Sequence, residues 1–335
     1  MASSSRAGEP GITRKVVVLA VVVVAVVLLY AGGWFYAAMR LHDRLSERMA
    51  ASQTGQVTFA CDALSVRGFP FRIGAFCDSA SVDDHRTGIA ASVGPVRSAA
   101  QVYRPGHAVV EVDGPAQLRM SPDLAFVADW SLLRASIVAW TDGLDRGSLA
   151  YDGLKGRLSV PSADLSLGIA VRHGEAHVRR SGEALDVAGS FDGLALHPGG
   201  REIPLVDATL DVTIAGAAEW LSTAGPPVDA LYGVQMELHG FSLDLGEDTG
   251  VRLSGPLSVD EGGYVSGSLD LAIDGIAAWR DRISEAFPES RKAVSNVAKA
   301  LTVLSGGTDR AQVKVSVKDG TVYLSLFPVG VIPPL

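Results

Sequence analysis

Cysteine is nearly absent: two residues in 335, Cys61 and Cys77. One pair supplies too few ligands for a metal site. If the two are bonded, no thiol nucleophile is left either. Aromatic residues are scarce at 7%, and charged residues make up 20% against 47% hydrophobic. That balance belongs to a globular, somewhat apolar chain and excludes a disordered one. Cations are not in excess. The net charge is −8 and no basic stretch is interleaved with aromatics, which argues against nucleic acid as a partner. No fixed-period repeat occurs. There is no G-x-S-x-G elbow, no Walker loop and no G-x-G-x-x-G between strand and helix. Glycine, by contrast, is abundant at 37 residues. Together with many Val, Leu and Ala it predicts many turns between short strands.

The compartment is set near the N-terminus. Val16 to Met39 reads VVVLAVVVVAVVLLYAGGWFYAAM, without a charge. About 20 apolar residues suffice to cross a bilayer as a helix. A secretory signal has a shorter apolar region and a small-residue cleavage site. None follows Met39 directly, so the run reads as an uncleaved anchor. Arg6, Arg14 and Lys15 precede it, opposed by Glu9, and Arg40 and Arg44 follow. The positive-inside rule then favours a cytoplasmic N-terminus. Trp34, Phe35 and Tyr36 lie where rings favour the membrane interface. The expected layout is a cytoplasmic tail (1–15), a transmembrane helix (16–39), a juxtamembrane stalk (40–55) and a periplasmic domain (56–335). Leu41, Leu45 and Met49 give the stalk one apolar stripe.

Outside the cytoplasm disulfides persist. Position 69 is the midpoint of the two cysteines. A three-residue loop, Gly68-Phe69-Pro70, would set Arg67 opposite Phe71 and Cys61 directly opposite Cys77. Directly opposed residues are close enough for a bond. The reading is a Cys61–Cys77 disulfide, and the alternative is two free buried thiols.

From Val57 onward the apolar pattern is mostly period two. In QVKVSVKDGTVYLSLF, Asp319-Gly320 predicts a two-residue turn. It sets Val317 opposite Val322, Val315 opposite Leu324 and Val313 opposite Leu326. Val251, Leu253, Leu257 and Val259 alternate before Asp260-Glu261-Gly262-Gly263, and Val265, Leu269, Leu271 and Ile273 after it. Val206, Leu210, Val212 and Ile214 mark another strand. Val234, Met236 and Leu238 are out of phase with Phe241, Leu243 and Leu245, which predicts a bulge at Gly240 with positive φ. Asp-Gly pairs at Asp142, Asp152, Asp192 and Asp274 read as turns. Ala125 to Trp140 reads as strand. Helical spacing is confined to Ile276, Trp279 and Ile283, then past Pro288 to Val294, Val297, Leu301 and Leu304, with a shorter helix near Ala217 to Leu221. The prolines of Phe327 to Leu335 predict an extended tail that is neither strand nor helix.

Candidates for chemistry are few. His173-Gly174-Glu175-Ala176-His177 lacks the H-E-x-x-H order of a zinc helix and reads as two solvated histidines beside a hairpin turn. Asp83 and Asp84 are adjacent on a strand, point to opposite faces and read as a polar turn. Arg67 and Arg72 flank the cysteine hairpin turn. They are edge charges that guard against aggregation, or they are ligands for an anionic head group. The sheet poses a larger question. A helix covers a strip about 10 Å wide, too little for so broad an apolar face. The sheet must close on itself or curl into a groove.

The anchor, Cys61, the Gly68-Phe69-Pro70-Phe71-Arg72 motif, Cys77 and the proline-rich end Phe327 to Leu335 together resemble the domain-of-unknown-function family 2125. Its members are alphaproteobacterial envelope proteins with one N-terminal membrane helix. The resemblance implies no reaction and so no catalytic residues. In outline it is similar to AsmA-like envelope proteins, which implies lipid transport and outer-membrane homeostasis, though this chain lacks the length to bridge the periplasm. The expected fold is mainly β: a long twisted antiparallel sheet, groove or sandwich, with a helical segment near 275–304 and one transmembrane helix. The candidate apolar face comprises Leu269, Leu271, Ile273, Val315 and Leu324. The expected function is non-enzymatic: an inner-membrane-anchored periplasmic protein that binds or passes lipid. The alternative is an envelope scaffold or assembly factor with a closed core. Membrane lipid and envelope proteins are the expected partners, and no cofactor or metal is called for.

Overall fold

The computed structural model describes every residue except 1–9, 54, 86, 122, 200–204, 223–224, 228–229, 247 and 326. Among the described residues the chain forms one open antiparallel sheet of twenty strands and three α-helices. The uncharged run and the stalk form a single helix, α1 (Pro10–Ser52). Its 43 residues rise about 65 Å. The stretch from Arg14 is long and apolar enough to cross a membrane, and its most apolar window is not buried by the rest of the chain. Leu41, Leu45 and Met49 are half-buried, and α1 packs against the first strand of the sheet. The Ser52 hydroxyl accepts the Phe59 N–H at 3.0 Å.

The first ten strands are five long strands, each broken once. They are β1 (Val57–Asp62) with β2 (Ser65–Arg67), β3 (Arg72–Cys77) with β4 (Ser79–Asp84), and β5 (Ile89–Val93) with β6 (Val96–Gln101). β7 (Arg104–Val112) with β8 (Ala116–Ser121) and β9 (Leu124–Asp129) with β10 (Leu132–Trp140) follow. Among the described residues each of these long strands pairs with its neighbours in sequence, the first with the second alone. The breaks fall where the ladder cannot continue: Ala63 takes φ 52°, and Pro95 and Pro115 have no N–H to donate. The stretch 125–140, read as strand, is β9 and β10 separated by Trp130-Ser131.

The same up-and-down order continues through β11 (Gly143–Val160), β12 (Leu165–Ser181), β13 (Ala184–Pro198), β14 (Val206–Ile214) and β15 (Gln235–Asp244). It runs on through β16 (Gly250–Val259), β17 (Val265–Asp274), β18 (Arg310–Lys318), β19 (Thr321–Leu324) and β20 (Phe327–Val331). The hairpin about Asp319-Gly320 has Val317 opposite Val322 and Val315 opposite Leu324. Leu326, the expected partner of Val313, lies outside the described residues. The helical segment forms α2 (Ile276–Ala286) and α3 (Arg291–Leu304), separated at Pro288. The short helix near 217–221 is a 3-10 turn, Ala218–Leu221.

Several expectations need correction. The cysteine hairpin is closed by the four residues Gly68–Phe71, with the Arg72 N–H donating to Gly68 O at 2.9 Å. Arg67 therefore stands opposite Gly74, not Phe71, and Cys61 stands opposite Ala80. The two cysteines are nevertheless bonded, with Cα atoms 5.3 Å apart, because the chain turns at Ala63 and brings them together diagonally. Asp152-Gly153 and Asp192-Gly193 are not turns. They lie within β11 and β13, where each glycine takes positive φ and the β13–β14 register shifts past Phe191. His173 to His177 is the middle of β12, not a hairpin end. Asp83 and Asp84 end a strand, β4. The bulge at His239-Gly240 is present, but the positive φ belongs to Gly255 on the facing strand (φ 134°), not to Gly240. Phe327–Val331 is a strand despite Pro328. It is the last strand of the sheet, where a missing donor breaks no further ladder.

Candidate functional site: the apolar face of the sheet

Antiparallel partners share a face, so the registers trace rows across the sheet. In one row Leu133 faces Tyr151, Tyr151 faces Gly174, Gly174 faces Phe191 and Phe191 faces Ala208. The row continues through Leu243, Val251 and Ile273 to Ala311. A second row, two residues along each strand, runs Ala135, Leu149, Ala176, Gly189, Leu210, Phe241, Leu253, Leu271, Val313. Towards the N-terminus Ala135 faces Val110, which faces Ser98. The one hydroxyl in this row is satisfied locally: Ser98 Oγ donates to Ala75 O at 3.0 Å and accepts the Ala75 N–H at 2.8 Å. Ala75 faces Val66 on β2, the strand against α1. One apolar face thus runs from the strand beside α1 to β18.

The cover on this face is local. Ile273, Val315 and Leu324 are buried with Ile276, Ala298, Leu301 and Ala311, and Leu271 packs against them. Leu269 is buried as well. The five expected face residues therefore sit under or beside α2 and α3, in a closed core. A second cluster joins Leu185, Ile214 and Ala217 with Trp220 and Leu221 of the 3-10 turn. Between these covers the face is open: Phe191 is 41% and Leu210 37% exposed, and Ala176 is exposed. At Gly174 the Tyr151 ring occupies the space that a side chain would take. Burial pushes the Tyr151 phenol pKa up. Sequence reasoning placed Leu210 on a strand but passed over Phe191, because the adjoining Asp192-Gly193 read as a turn.

The Gly68–Arg72 turn joins this face to α1. The Tyr30 hydroxyl donates to Pro70 O at 2.5 Å and Trp34 Nε1 donates to Arg72 O at 2.9 Å. Trp34 meets Phe69 edge-on with centroids 5.5 Å apart, and Phe35 stacks on Phe69 at 5.6 Å. Arg67 lies over the Phe76 ring, 5.4 Å from its centroid.

The opposite face is polar. His173 Nδ1 meets Asp152 at 2.6 Å and its Nε2 meets Glu175 at 3.3 Å. His177 meets Glu175 at 3.2 Å and Ser148 at 2.9 Å. The hydrogen bond to Asp152, then that to Glu175, raises the His173 pKa. Bonds to His177 and then His173 lower that of Glu175. Both ring nitrogens of each histidine are thus engaged. Among the described residues no group of three or more His, Cys, Asp or Glu is disposed to hold a metal ion.

An open antiparallel meander of this length, packed against an N-terminal helix long and apolar enough to cross a membrane, defines a mainly β protein with one candidate membrane span. A family model described as "Uncharacterized protein conserved in bacteria (DUF2125)" matches residues 34–333, and the chain belongs to this family. No curated protein and no solved structure matches it.

Proposed function

We propose that this protein binds lipid, holding acyl chains on the open part of its apolar sheet face, and that it does so without catalysis. The carrying observation is continuity. One apolar row begins on the strand against α1 and passes the exposed Leu210, with the exposed Phe191 in the row beside it, before both reach the helical cover. A lipid that leaves the membrane beside α1 meets apolar surface along the whole path. Covering such surface stabilises by roughly 25 cal/mol per Å². In this reading α1 sits in the inner membrane with its N-terminus in the cytoplasm and the sheet in the periplasm. The disulfide fits that oxidising compartment.

A second reading, an envelope scaffold, has its own support in the closed core beneath α2 and α3. Photo-crosslinking separates the two. p-Benzoylphenylalanine is placed at 191 or 210 on the apolar face and at 190 or 209 on the polar face, and adducts are identified in cells. Lipid adducts at 191 and 210, in excess over 190 and 209, are expected. Protein adducts in their place favour the scaffold. Equal lipid labelling at all four positions refutes the lipid reading.

A further inference from the structure

The turns of the first six long strands differ at their two ends. At one end are the turn Gly68–Phe71 and the turns after Gln101 and Trp140. They carry Phe71 (67% exposed), Tyr103 (69%) and Trp140 (63%). The other end of the same strands carries His85, Thr87 and Gly88, then Asp123, then Pro161 to Asp164, with no aromatic among the described residues. The Val102 N–H donates to Phe71 O at 3.1 Å, so the first two aromatic turns are level. Trp140 packs beside Gly106, one turn further along.

The position of α1 says what this end faces. Ser52 meets Phe59, and Trp34 and Tyr30 meet Phe69 to Arg72. From Trp34 to Ser52 the helix rises about 27 Å, and the ten residues from Phe59 to Phe69 extend about 33 Å. The first strand therefore runs back along α1, and the neighbouring strands share its direction. Tyr30 and Trp34 belong to the uncharged run, so the aromatic turns lie at the depth where the helix enters the bilayer. Beside them a cleft of about 580 Å³ is lined by Arg72, Arg97, Arg104, His107 and Arg134. Glu111 pairs with Arg97 and Arg134, and no ion pair engages Arg72 or Arg104 among the described residues. Exposed rings with adjacent free guanidinium groups are the composition of an interfacial anchor.

We infer that this end of the sheet rests in the head-group layer of the membrane that α1 crosses. Phe71, Tyr103 and Trp140 are immersed, and Arg72 and Arg104 lie against lipid phosphates. The strands then stand upright on the membrane and the polar turns project away from it. The inference does not depend on lipid binding along the sheet.

The test is nitroxide accessibility in the full chain, reconstituted in vesicles of phosphatidylethanolamine and phosphatidylglycerol. The native cysteines are bonded and do not take the label. Single variants Phe71→Cys, Tyr103→Cys and Trp140→Cys report on the proposed buried end, and Thr87→Cys and Ala163→Cys on the far end. All five side chains are exposed, and an intact Cys61–Cys77 bond in each variant verifies folding. The ratio of oxygen to nickel-chelate accessibility is expected to be several-fold higher at 71, 103 and 140 than at 87 and 163. Equal, water-like ratios at all five positions overturn the inference.

Discussion

Removing the disulfide should loosen one edge of the sheet and leave the other end intact. Cys61 and Cys77 are 16 residues apart. In the chain-entropy description, a closed loop of that size is worth about 3 kcal/mol. The strand it holds, β1 with β2, pairs on one side only, with β3 and β4. Its other neighbour is α1, which adds side-chain contacts but no ladder. The loss should therefore appear as local opening, not as global unfolding. A difference of about 3 kcal/mol is roughly a hundredfold in an opening equilibrium. The assay is amide hydrogen exchange of Cys61→Ala/Cys77→Ala against the native chain in the same vesicles. Protection across 57–67 should fall by about two orders of magnitude, while β17 and β18 keep theirs. Unchanged protection across 57–67 would refute the reasoning, because the bond would then constrain nothing that the ladder does not already hold.

Two further outcomes follow from single positions. Gly240→Val should shift stability by no more than about 0.5 kcal/mol, since no atom beyond its two chain neighbours lies within 4 Å of its added Cβ. Gly255→Val should cost about 1–3 kcal/mol, since φ is 134° and the new Cβ would lie 2.5 Å from Ser268 O; thermal denaturation of both variants is the check. The His173 imidazole should titrate above the ordinary histidine value by NMR, and Asp152→Asn should bring it down. Its contacts favour folding below the ordinary midpoint, and that gain is lost as pH rises through the raised one. The Glu175 contacts act in the opposite sense: their gain is present above the ordinary carboxylate value and is lost as pH falls through the lowered one.

The fold was legible where the pattern is local and regular. The phase change across Gly240 located a bulge, and the alternation about Asp319-Gly320 set a hairpin register. It was illegible where one local signal serves two structures. Asp-Gly turns a chain after Trp140, yet at Asp152 and Asp192 it lets a long strand bend without ending. The cysteine hairpin was misregistered because positive φ at Ala63, a residue with no turn preference, displaces one cysteine along the ladder. The open site was illegible for a different reason. Period two shows that a strand has an apolar face, but a cover such as α2 and α3 comes from elsewhere in the chain. Leu269, Leu271 and Ile273 carry the same signal as Phe191 and Leu210, and the structure covers the first group and leaves the second open.

Pairing between sequence neighbours alone also governs how the sheet is made and how it changes. Contact order stays low for so large a β structure, which favours rapid formation. Each long strand finds its partner in the segment just before it. The sheet can grow in one direction from α1 while later parts of the chain are still being synthesised. The same arrangement makes length a free variable. Excising or duplicating one hairpin joins strands that were already compatible in direction, as in repeat arrays where each unit touches only its neighbours. The two ends are the exceptions: the first strand packs against α1, and the last carries Pro328, which has no N–H to offer a further strand. Lineages of this architecture should therefore differ in the number of hairpins between two constant ends.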